Sequence, residues 1–191
     1  MAFPGKAVAA FRFWVALKAR LTETQIFSRH QMFVVGIHEK RSQMILEPKP
    51  ENTCFGCGGG NSRGMKLAFE QDDARQRIVG RFQLGEEYQG GSGFLHGGII
   101  AVLLDEVMSK ACRFHGEHAV TADLRVEYLK PIRVNQEIVV EGFVARRDGR
   151  QLYHEGEIRN GAGDLLARGQ GRFVVIDREK YRVSNSSVKA T

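Results

Sequence analysis

His96-Gly97-Gly98 stands directly before an apolar run, and Asp105 follows the histidine by nine positions. These residue types at this spacing suit chemistry on a carbonyl group. Glycine is a poor helix former, so the pair belongs at or before a first helical turn rather than inside one. A helix N-terminus exposes unpaired backbone N–H groups and the positive end of the peptide dipole. Glycine lets another group approach those N–H groups closely. The result is a place for an anion, or for an oxyanion that develops during reaction. A carboxylate on the same element supplies a nucleophile or a general base, and no metal or cofactor is needed. Gly97 and Asp105 are eight residues apart, which is about 12 Å along one helix. They cannot both touch one carbonyl within a single helix. Two helices running antiparallel across a two-fold axis would bring the Asp of one chain to the N-terminus of the other.

The spacing predicts how such a helix sits. Leu103, Leu104, Val107, Met108 and Ala111 form one apolar arc, while Asp105, Glu106, Ser109 and Lys110 fall opposite, with Val102 among them. On spacing alone the second arc faces solvent and Glu106–Lys110 is an i,i+4 ion pair. Taken alone, His96 is a structural residue near a helix start.

The elements around the helix read as strands. Arg77 to Phe82 is a short strand. From His118 to Tyr128 the residues alternate, with Val120, Ala122, Leu124, Val126 and Tyr128 on one face and Thr121, Asp123, Arg125 and Glu127 on the other. Glu137 to Arg146 alternates again, and Leu165 to Ile176 closes the series. Asp148-Gly149 and Asn160-Gly161 are hairpin-turn signals. The order is strand, helix, then a meander of four strands, an α+β fold with one antiparallel sheet wrapped on the helix.

Of 191 residues, the first 50 hold eight Lys/Arg against three Glu, and the remainder twenty Lys/Arg against nineteen Asp/Glu. The basic character belongs to an N-terminal extension, residues 1–50; the body, 51–178, is nearly neutral, which argues against a nucleic-acid surface. A polar tail, 179–191, follows. The simplest reading of the extension is an unpacked leader. A basic amphipathic helix on a membrane or partner, or an organelle-targeting peptide, is the alternative. Three cysteines, Cys54, Cys57 and Cys112, give no disulfide framework and fit a reducing, cytoplasmic setting. Cys54-x-x-Cys57 raises zinc or redox chemistry, but no second ligand pair has suitable spacing and no βαβ unit accompanies it. It reads as a structural turn, supported by Gly58-Gly59-Gly60.

The set of motifs resembles the hot-dog-fold acyl-CoA thioesterases of the phenylacetyl-CoA thioesterase-like subfamily. The matching residues are His96-Gly97-Gly98 with Asp105, Cys54-Phe55-Gly56-Cys57-Gly58 with Asn61 and Gly64, and Thr121-Ala122-Asp123-Leu124 with Tyr128-Leu129-Lys130-Pro131. They cover residues 52–176. The resemblance implies a sheet wrapped around one long central helix, a homodimer (with a tetramer open) whose sites lie at the interface, and hydrolysis of an acyl-CoA thioester. It implies Asp105 as nucleophile or general base, the Gly97 N–H as polariser of the thioester carbonyl, and the Thr121 hydroxyl as orienter of water or carboxylate. His96 and Gly98 complete the helix-start motif. Similar enzymes carry Asn or Gln in the loop before the histidine, where Gln89 is the candidate. Lys130, Arg133, Arg146 and Arg147 are candidates for the phosphates of coenzyme A, or are ordinary solvated residues. Two other functions compete. A hot-dog hydratase or dehydratase would place a catalytic His in the helix, and none follows its start. A non-enzymatic acyl-CoA sensor would not need Asp105.

Overall fold

The computed structural model describes residues 43–177. The readings of the basic leader and of the polar tail fall mainly on residues 1–42 and 178–191, outside the described residues. Seven strands form one antiparallel sheet: β1 (Gln43–Leu46), β2 (Phe69–Asp72), β3 (Arg77–Gln83), β4 (Ala119–Tyr128), β5 (Glu137–Asp148), β6 (Gln151–Asn160) and β7 (Leu165–Val175). Their order across the sheet is β1-β2-β3-β5-β6-β7-β4. One helix, α1 (Gly97–Ala111), lies against the sheet.

The apolar arc of α1 is buried as its spacing predicts: Leu103, Leu104, Val107, Met108 and Ala111 are fully enclosed. Each such leucine or valine contributes roughly 1.5–3 kcal/mol on burial. That outweighs the roughly 1 kcal/mol that each starting glycine costs in propensity. The helix passes into a 3₁₀ turn over Cys112–His115 and stops at Gly116, whose left-handed φ of 66° ends the run.

The sheet meets α1 across a row of glycines. Gly142 of β5 pairs with Gly156 of β6, which pairs with Gly169 of β7. A Cβ at Gly142 would lie 2.6 Å from the Val107 carbonyl oxygen, and one at Gly156 would lie 3.1 Å from the Leu104 side chain. The missing side chains form a trough in which the helix backbone rests.

Three features differ from the sequence reading. The last four strands are not one meander: β4 precedes β5 in sequence but pairs with β7 at the sheet edge. β1 and β2 extend the opposite edge; both are short and neither alternates. β4 carries a bulge, so that Thr121 pairs with Phe173 and Asp123 with Arg172, leaving Ala122 as the extra residue. The bulge turns Thr121 to the helix side, with Leu124, Val126 and Tyr128, where strict alternation places it on the outer face.

Candidate active site

His96 caps α1. Its backbone is extended (ψ 137°), and its Nδ1 accepts a 2.9 Å hydrogen bond from the Gly98 N–H. The imidazole therefore carries its proton on Nε2 when neutral, and the ring closes the helix start. The Gly97 N–H has no hydrogen-bond partner among the described residues. The Gly97 carbonyl accepts a 3.1 Å bond from the Tyr128 hydroxyl, fixing the first turn to β4. Gln89 belongs to the preceding loop: its Oε1 accepts from the Gly93 N–H at 3.0 Å and so shapes the approach to Gly97.

Asp105 lies eight residues along the helix. Thr121 Oγ1 donates a 2.8 Å hydrogen bond to its Oδ1, a contact that exists because the β4 bulge turns Thr121 inward. Burial raises the Asp105 carboxyl above its ordinary value. The Thr121 bond opposes that shift and the neighbouring Glu106 charge adds to it. Asp105 is a half-buried carboxylate with one oriented oxygen, more basic than a solvated one.

The reading of the polar arc as solvent-facing is corrected here. Glu106 is buried (9% exposed), and Ser109 and Lys110 are half-buried. The loop containing Cys54 and Cys57 covers Glu106, with the Cys54 thiol 3.1 Å from its Oε1 and Gly56 against its side chain. The Glu106–Lys110 pair forms, at 3.5 Å, but under that loop rather than in water. Burial, and after it a hydrogen bond to Glu106, push the Cys57 thiol up to about 11, with Lys110 opposing the shift.

A groove of about 450 Å³ opens beside Gly97, lined by Phe94, Ile100, Tyr128, Leu129, Pro131 and Ile132, with Lys130 at its edge. Lys130 pairs with Asp164 at 3.0 Å, and the Arg133 guanidinium lies 5.3 Å from the Phe94 ring. These two cations border the Gly97 end of the site. Arg146 and Arg147 lie elsewhere, near the β5–β6 turn. Arg147 is in register with Leu152, Phe173 and Thr121 across four strands, so it belongs to the row of the sheet whose Thr121 bonds Asp105. Arg147 pairs with Glu117 at 2.6 Å, and Arg146 packs 4.0 Å over the Tyr153 ring. The four basic candidates thus divide between the two ends of α1. Gly98 stays exposed beside Gly97.

Tyr128, which anchors Gly97 through its hydroxyl, joins the candidate site although residue spacing gives it no role. Its position in the Tyr-Leu-Lys-Pro motif was visible, but its hydroxyl contact depends on how β4 crosses the helix. Among the described residues no helix is long and apolar enough to cross a membrane.

Residues 92–167 match the family model described as Thioesterase superfamily. The chain is 32% identical over 162 residues to the acyl-coenzyme A thioesterase THEM4 of Mus musculus, covering 84% of this chain and 68% of that protein. The THEM4 of Rattus norvegicus is 32% identical over 118 residues, covering 61% of this chain, which spans about half (51%) of the relative's length. The crystal structure of RHA08564, a thioesterase superfamily protein, superposes with a TM-score of 0.56 at 30% identity, over 60% of this chain and 56% of that one.

Proposed function

Because this chain belongs to the thioesterase superfamily and has its hot-dog fold, we propose that it hydrolyses an acyl-CoA thioester at a site shared between two copies. The observation that carries the reading is the oriented carboxylate: Asp105, raised by burial and held by Thr121 at 2.8 Å, on the helix whose start presents the unpartnered Gly97 N–H. The acyl group lies in the apolar groove beside Gly97, and its carbonyl oxygen accepts from that N–H. As a general base, Asp105 of the second copy takes a proton from water, whose oxygen attacks the carbonyl carbon. The C–S bond then breaks, the CoA thiolate takes up the proton, and the carboxylic acid is released. As a nucleophile, Asp105 forms a mixed anhydride that water cleaves, with the same overall balance. Lys130 and Arg133 at the groove, or Arg146 and Arg147 at the other end, meet the CoA phosphates.

Two further observations support a second copy. β4 is an edge strand, and its helix-side residues Thr121 and Tyr128 remain exposed in the single chain. Tyr128 (55%) and Leu129 (47%) add apolar surface at that edge. The test is release of free CoA thiol from a panel of short, long and aromatic acyl-CoAs. Turnover that falls about 10²–10⁴-fold in Asp105→Asn supports the reading. Binding of acyl-CoA without turnover would replace it with a sensor. Water addition to an enoyl-CoA with the thioester intact would replace it with a hydratase.

A further inference from the structure

We infer that Cys54, Cys57 and Glu106 form a zinc site that fastens the Cys-x-x-Cys loop to α1 beside Asp105. The Sγ atoms of both cysteines and a Glu106 carboxylate oxygen all lie within 4.8 Å of one another. The sequence shows only the cysteine pair; the fold brings in the third ligand, 49 positions beyond Cys57, from the arc of α1 that the loop covers.

The loop is built to aim these atoms. The Gly58 N–H donates to the Cys54 carbonyl at 3.0 Å, and the Gly60 N–H to the Asn52 carbonyl at 3.0 Å, turning both thiols to one side. A Cβ at Gly56 would lie 2.3 Å from Glu106 Oε1, so only glycine lets the carboxylate lie this close to the loop. Glu106 divides its oxygens: Oε1 faces the Cys54 thiol at 3.1 Å, and Oε2 faces Lys110 Nζ at 3.5 Å. In a tetrahedral zinc site, with Zn–S about 2.3 Å and Zn–O about 2.0 Å, sulfur and oxygen ligands stand roughly 3.5 Å apart. A metal between Oε1 and the sulfurs needs only small side-chain adjustments. Lys110 then remains the outer partner that orients a monodentate carboxylate, and Asn52 Nδ2, 3.6 Å from Cys57 Sγ, donates to that ligand sulfur. Cys54 is exposed, which gives an entry path and leaves the fourth position to water.

Charge closes as well. With both thiols protonated, Glu106 and Lys110 neutralise each other. When zinc binds, the two S–H bonds break, two Zn–S bonds form, and two protons leave to solvent. Two thiolates and one carboxylate then balance the dication and Lys110. No oxidant or reductant is involved. Two thiolates select zinc over the hard divalent ions.

The test uses the full chain, reduced, stripped with a chelator and titrated with cobalt(II), then with zinc. One equivalent of cobalt should give a sulfur-to-metal charge-transfer band and the visible bands of four-coordinate cobalt, both bleached by zinc. Zinc binding near neutral pH should release about two protons per metal. The charge-transfer band should lose at least roughly half its intensity in Cys57→Ser, and Glu106→Gln should lower the affinity at least roughly tenfold. If the serine variant does not fold, wild-type alkylation still decides: zinc should protect Cys54 and Cys57 and leave Cys112 unchanged. Absence of the cobalt band, its persistence at full intensity in Cys57→Ser, unchanged affinity in Glu106→Gln, or unprotected thiols would each overturn the site. So would a reduced protein that refuses metal but closes a Cys54–Cys57 disulfide on oxidation.

Discussion

Thr121 Oγ1 donates to Asp105 Oδ1 at 2.8 Å across the gap between the edge strand and the helix. This bond favours the ionised carboxylate, whereas burial and Glu106 favour the neutral one. A base must be ionised to accept a proton, so activity should rise with pH through the raised Asp105 value. Thr121→Val removes the one contact that lowers that value. Its acidic limb should move to higher pH, with a plateau closer to wild type, and Thr121→Ser should restore the limb. A pH–rate profile of kcat/KM checks this; an unmoved limb in Thr121→Val would detach the hydroxyl from Asp105's titration.

The same shift has a stability consequence. A carboxyl whose folded value lies above its unfolded one, about 3.9, holds its proton more tightly when folded. Its contribution is fully present below the unfolded value and is lost as pH rises through the folded one. Asn at this position carries no ionisation penalty and can still accept from Thr121. Asp105→Asn should therefore be inactive yet at least as stable as wild type at pH 7, with the relative gain fading in acid. Thermal melting across pH is the measurement. A variant markedly less stable at neutral pH would make Asp105 structural.

The glycine trough predicts unequal costs. Gly142→Ala drives a methyl to 2.6 Å from a helix carbonyl oxygen, which can move only with the backbone. It should lose about 1–3 kcal/mol of stability. Gly156→Ala meets side-chain atoms instead, Leu104 Cδ2 and Met108 Cγ and Sδ, which can shift without the backbone, and should lose less. Denaturant midpoints compare the two; equal losses would contradict the trough.

Much of this arrangement was legible in the sequence. The apolar arc of α1 and the helix start at His96-Gly97-Gly98 follow from periodicity and propensity, and β3, β5, β6 and β7 follow from alternation and turn residues. The motif resemblance points to Thr121, but periodicity places it on the wrong face, because a single-residue bulge leaves no periodic trace. Glu106 read as solvated because it shares an arc with Asp105 and Lys110. The loop that buries it lies about fifty residues upstream, and helical spacing carries no information about such a cover. β2 leaves no periodic signal, because its buried positions, Phe69 and Asp72, neither alternate nor are both apolar. The split of Lys130 and Arg133 from Arg146 and Arg147 required the strand register.

The shared site is tested most directly by mixing two inactive variants. Gly97→Pro removes the oxyanion N–H. Proline is accepted at a first helical position, the preceding His96 already has the extended backbone proline requires (ψ 137°), and a Cβ at residue 97 meets Tyr128 only at an ordinary 3.6 Å. Asp105→Ala removes the carboxylate. Each homodimer should be inactive toward acyl-CoA. Co-refolding should pair about half the chains as heterodimers, each with one complete site and one lacking both groups, so thiol release should recover to about a quarter of wild type. A mixture that stays inactive, while mass spectrometry shows exchanged subunits and Gly97→Pro alone is folded, would contradict a site built from two chains.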